Sequence, residues 1–423
     1  MVNRAELPSS ERARFYFVNR SDFLAHSHVH RIKVKRLKAE GISAELVAFV
    51  RIRDYVRSKA RYDASQTTYG ARILLVPYKR LIPVWTFLYF AGQLLRTKRV
   101  VAHLLQVDPR GLFLLRSLAK PLGRRVVVIV EYEGDTEAEA DYMRLHPYRP
   151  GFYEHSQGIT ARRTKRATRS ERLSINKADG VVLRSPGHIV LWESRLGRQI
   201  NAVPVPDLFD PDVFVFKAAE RERLRRKLGF GDKTVFVYSG NVIASWQKFG
   251  TMCRFLSEMR SQGQNVFLLA LVHQGEHHIA GEFIEKYGIG SDCLLTSVSP
   301  PEVPDYLCAA DIALFLREHH TMNLIVTSSK LGEYLACGLP LLSSGANAYY
   351  NDFIRTNGAA LFVTDLEHWS ADLNPKLASL AQKGKDPAWR SALSEKMHLT
   401  YGRSAEPMLE YVRFIRSFIE GND

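Results

Sequence analysis

Short, wholly apolar runs separated by stretches of helical spacing recur along the chain, as expected for strands buried on both faces of a parallel sheet. In the first half the runs are Arg14–Val18, Ile42–Val50, Arg99–Leu104, Arg125–Val130 and Gly180–Leu183. Helical patterns lie between them, from Ser27 to Glu40 with Gly41 as the stop, and from Leu112 to Lys120. The second half repeats the alternation with runs at Thr234–Tyr238, Asn265–Val272, Cys293–Leu295, Asp311–Phe315, Leu339–Ser343 and Ala360–Val363. Strand, helix and strand in regular succession predict an α/β chain with two doubly wound, Rossmann-like domains. Two prolines in Val203-Pro204-Val205-Pro206-Asp207 make a stiff crossing between the two sets. The expected domains are therefore 1–207 and 208–400, followed by a tail at 401–423. In that tail, apolar residues from Glu406 to Ile419 fall at helical spacing.

Length agrees with this division, since 423 residues suit two cores of about 200 each. Charge adds an asymmetry. Residues 1–200 carry a formal +19 and residues 201–423 carry −4, within a total of +15. A basic first half beside a nearly neutral second points to an anionic surface or substrate facing the first. The run from Arg162 to Arg172 is read as a solvated helix face, because no aromatic-interleaved RNA-binding motif accompanies it. Nucleic acid is not an expected partner.

Cys253, Cys293, Cys308 and Cys337 sit in apolar contexts without metal-like spacing and read as buried thiols in a reducing compartment. With neither a signal-peptide pattern nor a membrane-length apolar run, the expected location is cytoplasmic. One segment bears on membranes in another way. Leu81–Leu95 is uncharged, contains Trp85, Phe87, Tyr89 and Phe90, and has cationic pairs on both sides. As a helix it would be about 22 Å long, too short for a hydrocarbon core of about 30 Å. It suits either a helix lying in the interface of an anionic membrane or a buried helix of the first domain, and the +19 favours the former.

The most informative stretch is Asp311–Ser344, DIALFLREHHTMNLIVTSSKLGEYLACGLPLLSS. An apolar strand ends in Arg317-Glu318-His319-His320, Thr327, Ser328 and Ser329 are helix-capping types, and Gly338-Leu339-Pro340 stops the helix. A helix N-terminus at the carboxyl end of a parallel strand offers unpaired amides and partial positive charge to a phosphate. Lys330 adds a cation, and Glu333, one turn inside, is placed to accept hydrogen bonds from an adjoining sugar hydroxyl. Upstream, Ser239-Gly240-Asn241 ends a strand where Gly240 lets backbone approach a phosphate closely.

These residues, with VPDYLCAADIAL just before them, resemble the donor-nucleotide signature of the retaining glycosyltransferases of the GT-B fold, the large family 4 group. The resemblance is carried by Tyr238–Val363. It implies two Rossmann-like domains facing across a cleft, with a nucleotide sugar held by the second. Glu333 matches the second glutamate of the family's pair, which holds the ribose. Ile325 stands where the first would be, and Lys330-Leu331-x-Glu333-Tyr334 resembles a subset lacking that acid. Asn241 replaces the family's arginine, Lys248 matches its diphosphate lysine, and Arg317 is the candidate second cation. The family's first loop is glycine-rich, whereas here it is SDFLAHSHVH, from which His26 is taken to face the substrate. His26, His28 and His30 have no carboxylate or cysteine nearby, so no metal is expected. Glu131 and Glu133, at the end of a strand, are the candidates to face the sugar or the acceptor.

The resemblance implies a hexosyltransferase moving sugar, with retention, from a nucleotide diphosphate-sugar to a glycan or lipid-linked acceptor in cell-surface polysaccharide or glycoconjugate synthesis. Lys248 and Arg317 would carry catalysis, and no cofactor or metal is required. A nucleotide-sugar 2-epimerase shares the architecture. A degenerate GT-B scaffold is the alternative outside the enzymes.

Overall fold

The computed structural model describes residues 13–19, 32–105, 107–146, 161–207, 209–402 and 405–420. The chain forms two compact units. The first comprises residues 1–133, 165–206 and 406–423, and the second comprises 134–164 and 207–405. Residues 134–164, which the sequence pattern leaves in the first domain, thus group with the second unit. The last helix, Glu406–Glu420, belongs to the first.

The first unit is built on a wholly parallel sheet in the order β3-β2-β1-β4-β5-β6-β7. Its strands are β1 (Ala13–Asn19), β2 (Ala44–Arg51), β3 (Arg72–Val76), β4 (Arg99–Leu105), β5 (Arg125–Glu131), β6 (Gly180–Leu183) and β7 (Ala202–Pro204). Central strands are buried along almost their whole length because helices cover both faces. Helix α1 spans 32–39, α2 is Ile82–Leu94 and α3 is Arg110–Ala119. Ile82, Thr86, Phe90 and Leu94 form the buried face of α2, so the apolar stretch is half core, while Val84, Trp85 and Leu88 point outward. Two strands escape the sequence pattern. β3 is a half-exposed edge, and β7 is the start of the proline crossing, where Val203 pairs with Val182. An edge tolerates Pro204 because no further strand needs its missing donor.

The expectation for Glu131 is corrected here. Glu131 is fully buried, hydrogen-bonded to Lys33 of α1 and to Arg184 Nη1 (2.8 Å), and 2.9 Å from His103 Nε2. Arg184 Nη2 takes up Glu133 at 2.8 Å. Glu131 thus ties α1, β4, β5 and the end of β6 together instead of facing a sugar, whereas Glu133 keeps part of its side chain exposed. Burial alone would raise the Glu131 pKa, but Lys33 and Arg184 hold it well below the carboxylate range. Tyr411 of the last helix closes the cluster, its hydroxyl 3.0 Å from His103 Nδ1. His26 lies outside the described residues.

The second unit holds a six-stranded parallel sheet in the order β10-β9-β8-β11-β12-β13. Its strands are β8 (Thr234–Ser239), β9 (Val266–Leu271), β10 (Cys293–Thr296), β11 (Ile312–Phe315), β12 (Leu341–Ser343) and β13 (Ala360–Phe362). The helices used below are α4 (Thr136–Leu145), α5 (Phe249–Ser261), α6 (Val303–Ala309) and α7 (Ser329–Ala336). Asp311 opens the central strand as a structural residue. Its carboxylate is buried, accepts from Arg221, Arg225 (3.1 Å) and Val235 N (2.8 Å), and so fixes β11 against β8. Gly338 ends α7 in the left-handed region (φ 69°), where a Cβ would lie 2.3 Å from Arg390 O. Chain order reverses between β8 and β11, and the carboxyl ends of strands at such a switch point are where α/β sheets bind ligands.

Candidate nucleotide-binding site

The switch point collects residues from four segments of the second unit. After β8, Gly240 has φ 140°, and a Cβ there would fall 2.1 Å from Lys330 Nζ. A side chain there would displace that ammonium, and the φ itself favours glycine. Lys330 Nζ hydrogen-bonds Gln247 Oε1 (3.1 Å) and Tyr238 Oη (3.3 Å) and lies 4.8 Å over the Tyr238 ring. It makes no ion pair among the described residues. Asn241 is exposed, with its carbonyl accepting from the Tyr238 hydroxyl.

Lys248 ends the turn Ser245–Gln247 and opens α5. At φ 51° it is the one non-glycine residue with positive φ among those described. Such a backbone conformation costs a side-chain-bearing residue energy and concentrates at functional sites. Its ammonium pairs with Glu318, whose second oxygen is 2.8 Å from His146 Nε2.

Arg317 follows β11. Ser344 Oγ clamps its backbone, accepting from Arg317 N (2.9 Å) and donating to Arg317 O (2.6 Å). The side chain is only 7% exposed, crosses the Phe315 ring at 4.8 Å, and its Nε has no hydrogen-bond partner among the described residues. Burial lowers its pKa.

Helix α7 starts beside these cations. Thr327 does not cap it, because its hydroxyl accepts from Asp207 N at 2.6 Å. Ser328 is the N-cap but makes no side-chain cap bond, so the first amides, at Ser329 and Lys330, keep their donors for a ligand. Glu333 is half-buried one turn further on. Burial pushes its pKa up to about 7, with Lys330 pulling the other way. Burial, helped by Arg317, lowers Lys330 to about 7.

A second wall was not legible in sequence. Helix α4, capped by Asp135 Oδ1 accepting from Ala138 N, presents Asp141, Tyr142 and His146 to the segment after β11. His320 Nε2 is 3.2 Å from Asp141 Oδ2, and the Tyr142 ring lies 4.6 Å from His146 and 5.2 Å from His320. Trp246 meets Tyr142 edge-on at 6.4 Å. Glu318 stands in the charged string that ends β11. Its role depends on Lys248 and His146, 70 and 172 positions away, which no local pattern links to it. Ile325 is buried in the short helix Thr321–Ile325, so no acid stands at that position.

This geometry can hold an anion with a polar group beside it. The buried Arg317, the half-buried Lys330, uncapped amides and a glycine gap converge at one strand edge, and Glu333 adjoins them. No protein-family model and no curated protein matches the sequence. Solved structures do match the fold. HepE from Anabaena, solved in complex with UDP, is 12% identical with a TM-score of 0.65, covering 96% of this chain and 100% of its own. WaaG, a glycosyltransferase involved in lipopolysaccharide biosynthesis, is 15% identical with a TM-score of 0.58, covering 97% and 100%. The fold is GT-B. A UDP-GlcNAc 2-epimerase from Neisseria meningitidis, bound to UDP-GlcNAc, shares it at 9% identity and a TM-score of 0.51, covering 96% and 100%. Among the described residues of this GT-B chain, no helix is long and apolar enough to cross a membrane.

Proposed function

We propose that the chain is a glycosyltransferase that binds a nucleotide diphosphate-sugar at the β8–β11 switch point and transfers the sugar with retention. The observation that carries this reading is that Arg317, buried, and Lys330, half-buried, meet an uncapped helix N-terminus with no carboxylate hydrogen-bonded to either among the described residues. Buried positive charge left in this state favours a bound anion with several negative oxygens. Glu333 is placed for the ribose, and Gly240 lets the diphosphate lie against backbone. Lys248, Arg317 and the α7 amides would stabilise the charge that develops on the leaving diphosphate, so no metal is needed for that step. HepE was solved with UDP and the epimerase with UDP-GlcNAc, which makes uridine nucleotides the first to test. The basic first unit and the outward face of α2 favour a lipid-linked or anionic glycan acceptor at the cytoplasmic face of a membrane. A hexose donor and surface-glycan synthesis complete the reading.

A second reading has its own support. The pairs His146–Glu318 and His320–Asp141 are acid–base partners beside the same site, as a 2-epimerase needs. One experiment separates the readings. Purified protein is incubated with UDP-glucose and UDP-GlcNAc, with and without lipid-linked glycan, while nucleotide release and the sugar's C2 configuration are followed by NMR. Acceptor-dependent UDP release with an α-configured product supports the retaining transferase. An acceptor-independent change at C2 supports the epimerase, and neither reaction together with nucleotide binding leaves a binding subunit.

A further inference from the structure

Helix α4 carries a polar group that the folding of the second unit does not use. Tyr142 is fully buried, and its hydroxyl has no hydrogen-bond partner among the described residues. A buried phenol normally finds one, because an unpaired hydroxyl gives up water without compensation. The ring itself is firmly held. Ala138, Met322 and Trp246 pack around it, and the His146 and His320 rings stand 4.6 and 5.2 Å away. Asp135 caps the helix that carries it. Burial, and after it Glu318, raise the phenol's pKa, so it stays a protonated donor.

Glu318, Arg317 and Ser245 are the groups that act on this tip. Ser245 is committed, its hydroxyl donating to His146 O at 3.1 Å. Arg317 Nε, like the phenol, is a buried donor without a partner among the described residues. The carboxylate of Glu318 satisfies neither, because one oxygen takes Lys248 and the other takes His146. Its backbone is fixed, the carbonyl accepting from Asn323 Nδ2 (2.9 Å) and His320 N (3.0 Å). Its side chain is partly exposed and can turn away without moving the chain. A terminal phosphate has three oxygens where a carboxylate has two. In the place of Glu318 it can take Lys248, Arg317 Nε and the Tyr142 hydroxyl together, each bond strengthened by the phosphate's charge.

We propose that Tyr142 is a further substrate-contacting residue, whose hydroxyl donates to an oxygen of the leaving phosphate once the donor displaces Glu318. The phenol keeps its proton throughout. The inference rests on the nucleotide diphosphate reading and adds to it a neutral donor supplied by residues 134–164. Titration calorimetry with UDP and with UMP, on the parent and on Tyr142→Phe, tests it. The variant should bind UDP roughly ten- to a hundredfold more weakly, as for a lost bond to a charged group. It should bind UMP, which lacks that phosphate, like the parent. Its melting temperature should be unchanged or slightly higher, because the deleted hydroxyl strands no partner. Equal UDP affinity in the two proteins would overturn the contact and leave the nucleotide reading standing. A lower melting temperature, or an equal loss for UMP and UDP, would also overturn it, since either marks a hydroxyl that shapes the wall. A parent that binds neither nucleotide overturns the nucleotide reading and this inference with it.

Discussion

The ammonium of Lys248 is held by the carboxylate of Glu318, and the same carboxylate reaches His146. The lysine that would meet the departing diphosphate is therefore paired before any donor arrives. A donor must share or displace Glu318. Because both side chains are partly exposed, the pair itself is worth about 0–1 kcal/mol.

Replacing Glu318 by Gln should free Lys248 and tighten nucleoside diphosphate binding by up to about fivefold, the equivalent of that pair energy. Isothermal titration with UDP measures it. Weaker binding in the variant would show instead that Glu318 holds Lys248 in place for the phosphate.

Lys248 separates stability from turnover. Its left-handed backbone costs about 1 kcal/mol that glycine does not incur, so Lys248→Gly should raise the melting temperature slightly. Both Lys248→Gly and Lys248→Ala should lower kcat by about a hundredfold or more with a smaller change in donor KM. A raised KM at unchanged kcat would reduce Lys248 to an anchor.

Nucleotide binding should take up a proton above neutral pH. Lys330, lowered to about 7 by burial, is mostly neutral at pH 8, and a diphosphate beside it restores the charged form. Glu333, pushed up to about 7, is already ionised there and adds nothing. Affinity should thus fall as pH rises from 7 to 9, by at most about tenfold per unit. Calorimetry in buffers of different ionisation enthalpy counts the protons. At pH 8, Glu333→Ala should weaken binding by about 1.5–3 kcal/mol, as for bonds to a charged group.

Glu131 should prove structural. Removing it strands Lys33 and Arg184 as buried charges, a loss of about 3–5 kcal/mol for such a break. Glu131→Ala should lower the melting temperature markedly while leaving UDP affinity intact in the cold. The group's folded pKa lies below its unfolded one, so its contribution is present above the ordinary carboxylate range and lost as pH falls through the depressed value. A change in acceptor KM at unchanged stability would return Glu131 to the substrate.

Both sheets could be read from the sequence because parallel strands buried on two faces are nearly continuous apolar runs. The strands without that signal, β3 and β7, lie on an edge. The start of α7 and the glycine after β8 were legible because helix starts and glycine gaps have local signatures, but the hydroxyls read as capping types leave the helix uncapped. Glu131 misled for a related reason. A carboxylate ending a parallel strand reads as ligand-facing, and the lysine, arginine and histidine that bury it come from three distant segments. The pairs of Glu318 with His146 and of His320 with Asp141 stayed hidden because charge complementarity between remote segments leaves no periodicity.

The excursion of residues 134–164 into the second unit sets a rule for anyone building chimeras of this protein. A splice at Pro206 would move the proposed nucleotide-binding half with Lys248, Arg317 and Glu333, but would leave behind Asp141, Tyr142 and His146. The candidate site of such a hybrid would be assembled from two ancestries. Sugar preference should transfer between parents only when the 134–164 insert travels with the C-terminal fragment.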